Sequence, residues 1–155
     1  MIRPDGLPTP VVLDTNVVLD WKVFAAPQAS ALRSALDSGQ LEPVASPDTL
    51  AELRIVLERP IGVRWESERE RTLSDWASLA GEFTLRSEPI PRRQDLHCSD
   101  PSDQKFLELA LHAGVRWLLT RDKALLRLHR RTQALGLAIV QPERWTPPDA
   151  AVAPT

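Results

Sequence analysis

Pro10-Val11-Val12-Leu13-Asp14-Thr15-Asn16 is the stretch on which the fold turns: a short apolar run closed by a carboxylate, a hydroxyl and an amide. It reads as a buried strand that breaks into a polar loop at its carboxyl end. A second stretch repeats the pattern, Val115-Arg116-Trp117-Leu118-Leu119 followed by Thr120-Arg121-Asp122. Short apolar runs of this kind suit strands covered on both faces, as in a parallel sheet. The expectation is a parallel sheet with the Val11–Leu13 strand central and the Val115–Leu119 strand beside it.

The remaining chain alternates in the same way. Pro27 opens a helix over 28–37 that Gly39 stops, and Leu41–Ala45 reads as a strand. Ser46-Pro47 is a cap followed by a first-turn proline, leading a helix to Glu58. A helix is expected over 67–80, a strand over 83–87, and a polar, proline-broken loop over 89–95. Asp100-Pro101 opens a helix that Gly114 ends, and 122–134 reads as one more helix before a strand at 137–140. Strands alternating with helices argue an α/β domain, expected over 10–145, with loose tails at 1–9 and 146–155.

The 155 residues suit one domain, and 43% hydrophobic with 26% charged residues is ordinary for a soluble globular protein. The 19 basic and 21 acidic side chains leave a net charge of −2, which excludes a strongly basic coat but not a local basic patch. One cysteine excludes an intrachain disulfide framework and fits a reducing compartment. No apolar run approaches the roughly 20 residues that span a bilayer, and the first residues carry no secretory signal pattern, so a cytoplasmic protein with no membrane role is expected.

Chemistry has few places to reside. Glycine-rich nucleotide loops, the Gly-x-Ser-x-Gly elbow and the His-Glu-x-x-His pair are absent from the sequence. His97-Cys98 is the one thiol–imidazole neighbour pair, and adjacent residues on an extended loop point apart. What stands out is a set of carboxylates. Asp14 and Asp122 sit at the carboxyl ends of the two key strands, where open parallel sheets bind ligands; capping a helix or an Asx-turn is the alternative for each. In the helix after Asp100, residues Lys105, Glu108 and His112 mark a solvated stripe. At roughly 100° per residue, Asp103 then projects with Phe106, Leu107 and Ala110 toward the interior. Asp100 leaves the helical register. Glu52 borders the apolar stripe Leu50, Leu53, Val56, Leu57; a capping box with Thr49 is its plainer explanation.

Several carboxylates share a crevice of low dielectric only if a cation compensates them. Hard oxygen ligands suit Mg²⁺ or Mn²⁺, which activate water and offset phosphoryl charge. Positive charge to hold a nucleic acid is close by: Arg121, Lys123, Arg127, Arg130 and Arg131 fall within eleven residues against the single acid Asp122. A haloacid-dehalogenase-like phosphatase would need Asp two positions after Asp14, where Asn16 stands. A response-regulator receiver would need an acid at a middle strand and a late lysine that are not found.

These blocks resemble the PIN domain, specifically the toxin-type PIN nucleases of bacterial toxin–antitoxin systems. The residues that carry the likeness are Val11–Leu19, Ser46-Pro47 with Glu52, Asp100–Leu107 and Leu118–Leu126, in that order, over about 11–145. The resemblance implies a single α/β/α sandwich with a central, mainly parallel sheet and an Mg²⁺- or Mn²⁺-dependent endoribonuclease. Its catalytic acids would be Asp14, Glu52, Asp103 and Asp122, with metal held by Asp14, Asp103, Asp122 and Asp100. Asn16, Thr120 and Ser46 would orient ligands or water. Ser102 and Gln104 are neutral where relatives often carry acids, so Asp100 and Asp103 stay open as the direct ligand. RNA substrate, a small DNA-binding antitoxin and a homodimer are implied as partners. A catalytically silent PIN-like module that binds RNA or protein, and a housekeeping RNA-processing nuclease, are the alternatives.

Overall fold

The strand at the start of the chain is the middle of the sheet. The computed structural model describes residues 6–148, so parts of both expected tails, 1–5 and 149–155, lie outside the described residues. β1 (Thr9–Leu13) is flanked on one side by β2 (Leu41–Ala45) and β3 (Thr84–Leu85). On its other side lie β4 (Trp117–Leu119) and β5 (Ala138–Val140), giving the order β3-β2-β1-β4-β5. All the pairings are parallel, with Val11 opposite both Pro43 and Trp117 and Leu13 opposite Leu119. The parallel sheet with a central first strand beside β4 is the expected one.

Successive side chains of a strand point to opposite faces, and here both faces are dry. Val11, Leu13, Leu41, Trp117 and Leu119 join one apolar cluster. It is closed by α1 (Thr15–Lys22), α2 (Ser30–Asp37), α3 (Pro47–Leu57) and, through Leu79, α5 (Trp76–Gly81). Val12, Val44, Leu118 and Ile139 join the other, under α6 (Gln104–Ala113) and the short α7 (Lys123–Leu126) and α8 (His129–Gln133). α4 (Glu66–Ser74) extends from α3 and is pinned to it by Arg69, which donates to the Leu57 carbonyl and pairs with Glu66. The result is an α/β/α sandwich.

Four elements differ from the sequence reading. The stretch after Asp14 is not a loop but the helix α1. Its β-branched Thr15, Val17 and Val18 are poor helix formers, yet burial of Thr15, Val17, Val18, Leu19 and Trp21 overrides propensity. The expected helix over 67–80 is two helices, broken at Asp75, whose ψ of 34° leaves the helical range. The helix expected over 122–134 is likewise split, because Leu125 and Leu128, three residues apart, both turn into the core and the backbone tightens to a Leu128 N–H···O=C Leu125 bond. β3 spans two residues rather than five.

Candidate functional site

The carboxyl ends of β1 and β4 are joined by the Asp14 N–H on the Leu119 carbonyl at 3.0 Å and, beyond the ladder, by one hydroxyl. Asp14 leaves β1 in an extended conformation and caps α1, its Oδ1 accepting the Asn16 N–H at 2.7 Å. Its Oδ2 accepts the Thr120 hydroxyl at 2.5 Å. Thr120, fully buried just past β4, in turn accepts the Asp122 N–H at 2.9 Å. Asp122 caps α7 by accepting the Ala124 N–H at 2.8 Å. Both acids therefore make the caps that Asp residues favour, and each is also fixed at one edge of the sheet.

Two further acids arrive from the turn before α6. Asp100 caps that turn through the Ser102 N–H and hydroxyl. Asp103 caps nothing. It is turned inward and buried, as its helical phase predicts, and its Oδ2 is enclosed without a hydrogen-bond partner. One carboxylate oxygen each from Asp100, Asp103 and Asp122 lie within 4.8 Å of one another. Glu52 reaches the same region from α3, accepting the Thr15 hydroxyl at 2.5 Å through Oε2 and the Lys105 ammonium at 2.6 Å through Oε1. Asp14, Glu52, Asp100, Asp103 and Asp122 are thus brought to one side of the sheet.

The charges are mutually unfavourable. Burial, then the neighbouring carboxyls of Asp122, Asp100 and Asp14, push Asp103 up to about 8. Burial also raises Asp14, against the lowering effect of its bonds from Thr120 and Asn16; Asp122 and Glu52 add to the rise. Asp100 goes the other way, held down by the Ser102 hydroxyl and N–H. An enclosed carboxylate oxygen without a donor, set among hard oxygen ligands, is what a small divalent cation would satisfy, so the residues present fit Mg²⁺ or Mn²⁺.

The other sequence candidates divide. Asn16 gives Asp14 its backbone N–H while its residue stands exposed. Ser46 is buried in a capping box with Thr49, so that box belongs to Ser46 rather than to Glu52. Lys123, Arg127 and Arg130 are exposed, and Arg131 donates to the Asp95 carbonyl. Arg121 is drawn inward instead: it donates to the buried Asp20 of α1 and to Glu143 at 2.9 Å. The stripe of Lys105, Glu108 and His112 is only partly solvated. All three are half-buried, because the 86–96 loop lies over them, with the Arg93 N–H on Glu108 at 2.8 Å and Glu88 on His112 at 2.9 Å. Cys98 is buried and its thiol is pushed up by burial.

Thr15 and Lys105 are contacts of Glu52 that the sequence reading did not assign. Thr15 has no local signal, since its role depends on α1, which was not foreseen. Lys105 had one: it is the only basic residue in the first turn of α6, next to the inward acid.

A family model described as a PIN domain matches residues 10–124. No curated protein matches the chain. Among solved structures, FitAcB from Neisseria gonorrhoeae is similar with a TM-score of 0.52 and 19% identity, over 87% of this chain and 99% of that one. FitAB bound to an IR36 DNA fragment is similar with a TM-score of 0.52 and 20% identity, over 88% and 98% of the two chains. At these identities the likeness describes the fold.

Proposed function

Because the chain belongs to the PIN-domain family, we propose that it is an Mg²⁺- or Mn²⁺-dependent endoribonuclease and the toxin of a toxin–antitoxin pair. PIN domains are generally nucleases. The observation that carries the reading is the set of Asp100, Asp103 and Asp122 oxygens within 4.8 Å, with the enclosed, unpaired Asp103 Oδ2 among them. A buried carboxylate oxygen without a donor is a cost to the fold that a bound cation would offset.

In this mechanism Asp14, Asp100, Asp103 and Asp122 would hold the cation. When bound, the cation would polarise a water and offset charge on the phosphoryl group. Thr120 keeps Asp14 and Asp122 at a fixed separation through its two hydrogen bonds. Glu52, at the mouth, orients the attacking water and accepts its proton at a carboxylate oxygen. Lys123, Arg127 and Arg130 stand exposed along the segment after Asp122 and are suited to phosphates of a single strand. Arg121, paired with Asp20 and Glu143, serves the site by anchoring the loop rather than by binding RNA.

A small DNA-binding antitoxin as partner is supported by the fold shared with FitAB, solved with a DNA fragment. A homodimer and a cytoplasmic setting belong to the same proposal. No helix among the described residues is long and apolar enough to cross a membrane. The test is Asp14→Asn, which removes a charge with almost no change of shape. It should abolish RNA cleavage and weaken Mn²⁺ binding in calorimetry. Cleavage at the wild-type rate, under conditions where EDTA stops the wild type, would place the metal elsewhere. Mn²⁺ binding by the wild type without turnover on any RNA would favour the binding-only module.

A further inference from the structure

Lys105 occupies an unusual place for a cation. It lies in the first turn of α6, where the helix dipole disfavours positive charge. Two contacts hold its ammonium there: Glu52 Oε1 at 2.6 Å and the Ser102 carbonyl at 2.6 Å. It also lowers the carboxyl of Asp100, so it is the counter-charge at the outer side of the acidic group. The same ammonium stands 5.5 Å from the centre of the Phe106 ring, and the side chain keeps about a quarter of its exposure. Beside it opens a cavity of about 430 Å³, lined by Arg92 and Lys105 itself and by the acids Asp48, Glu88 and Glu108; Glu88 is paired with Arg86 and His112, and Glu108 accepts the Arg93 N–H and the Gln104 amide.

We propose that Lys105 is an exchangeable counter-ion: when the acidic group takes up a divalent cation, Lys105 releases Glu52 and turns into this cavity to hold a phosphate of the RNA strand. The inference rests on the nuclease reading above. A divalent cation on the neighbouring aspartates brings twice the charge of an ammonium to the acidic group, and Glu52, whose charge also bears on Asp14, then needs its counter-ion less. Lysine is suited to the exchange, being a point charge on a flexible stem whose three donors reorient freely. Arg92, on the wall of the same cavity, gives the strand a second positive group. Release also frees Glu52 Oε1, the oxygen that the proposed proton transfer requires. The ion pair thus keeps both groups idle until the metal arrives.

The exchange can be imitated without metal. Glu52→Gln removes the partner that restrains Lys105, and binding can then be read in EDTA by the anisotropy of a labelled, unstructured oligouridylate. Removing an acid relieves general repulsion as well, so the comparison is made in two backgrounds, wild type and Lys105→Met. General relief is equal in both; a released ammonium acts only where Lys105 is present. The expected result is a gain in affinity about fivefold larger with Lys105 than with Met, a coupling within the usual range for contacting residues. The salt dependence should also be steeper by about 0.7 with Lys105, as for one added phosphate contact to a single strand. Lys105→Arg should keep the coupling, since it keeps the charge. Equal gains in all backgrounds, while the wild type cleaves RNA with Mn²⁺, would overturn the exchange and leave the nuclease reading intact. A wild type that neither binds Mn²⁺ nor cleaves RNA would overturn both. Glu52 and Lys105 side chains are each a quarter exposed, and Gln and Met preserve their shapes, so folded variants are expected and thermal unfolding verifies them.

Discussion

Asp14 and Asp103 are both buried, both acidic and both at the same edge of the sheet, yet the fold treats them in opposite ways. Asp14 has a donor on each oxygen, the Asn16 N–H and the Thr120 hydroxyl. Asp103 has an enclosed oxygen with no donor and a carboxyl pushed far above its usual range. The first acid is part of the architecture, since it caps α1 and links β1 to the exit of β4. The second caps no helix and leaves one oxygen unused. A buried polar group without a partner points to a ligand, and the contrast separates what the chain needs to fold from what it needs to act.

Activity should erase the contrast. Asp14→Asn and Asp103→Asn should each lower RNA cleavage with saturating Mn²⁺ at least about a hundredfold, the upper range seen when even outer partners of a metal site are lost. A full-rate Asp103→Asn protein would remove Asp103 from the site and leave Asp100 as the ligand on that helix.

Stability should restore it. In metal-free protein, Asp14→Ala leaves the Thr120 hydroxyl and a helix N–H without acceptors and should cost about 2 kcal/mol or more in denaturant unfolding. Asp103→Ala should cost less than about 0.5 kcal/mol or be favourable, since it removes an enclosed oxygen without a donor from among like charges. Equal losses would mean that Asp103 is held as firmly as Asp14.

The pH dependence isolates Asp103. Its folded carboxyl keeps a proton, from the ordinary value of 3.8 up to about 8, that the unfolded chain has already lost. The native state then binds more protons, so the stability this group gives is present at low pH and falls as pH rises through that window. The metal-free melting temperature should decline from pH 5 to 8 in wild type relative to Asp103→Asn, and Mn²⁺ should bind more tightly at the higher pH. The smallest effect lies outside the contrast. Arg127→Ala should weaken RNA binding and flatten its salt dependence by about 0.7, with Mn²⁺ affinity unchanged.

How far the sequence disclosed this follows from the kind of signal each residue gives. β1 and β4 were legible because a run such as Val11-Val12-Leu13 has one plausible burial, dry on both sides. Asp103 was legible because helical phase is a local property. The helix after Asp14 was not, since Thr15, Val17 and Val18 carry strand-like propensity and only packing against the sheet decides for a helix. The pairing of Glu52 with Lys105 joins positions 53 residues apart through the approach of α3 to α6, and no local pattern encodes it. The same holds for Arg121, which composition assigns to an RNA-facing cluster and the structure assigns to Asp20 and Glu143. Charge patterning counts the cations but does not tell which have found a carboxylate indoors.

The hydroxyl that joins Asp14 to the exit of β4 crosses 106 positions of sequence. On a translating ribosome, β1 can meet β2 once the connection that holds α1 and α2 is made, but its other neighbour, β4, follows only after α3 to α6. A nascent chain halted before Thr120 carries Asp14, Glu52 and Asp103 with neither Thr120 nor Asp122 to gather them. The order of synthesis is therefore built into the site: the acids made first wait for Thr120 and Asp122, and the acidic group closes only once β4 and the turn after it exist.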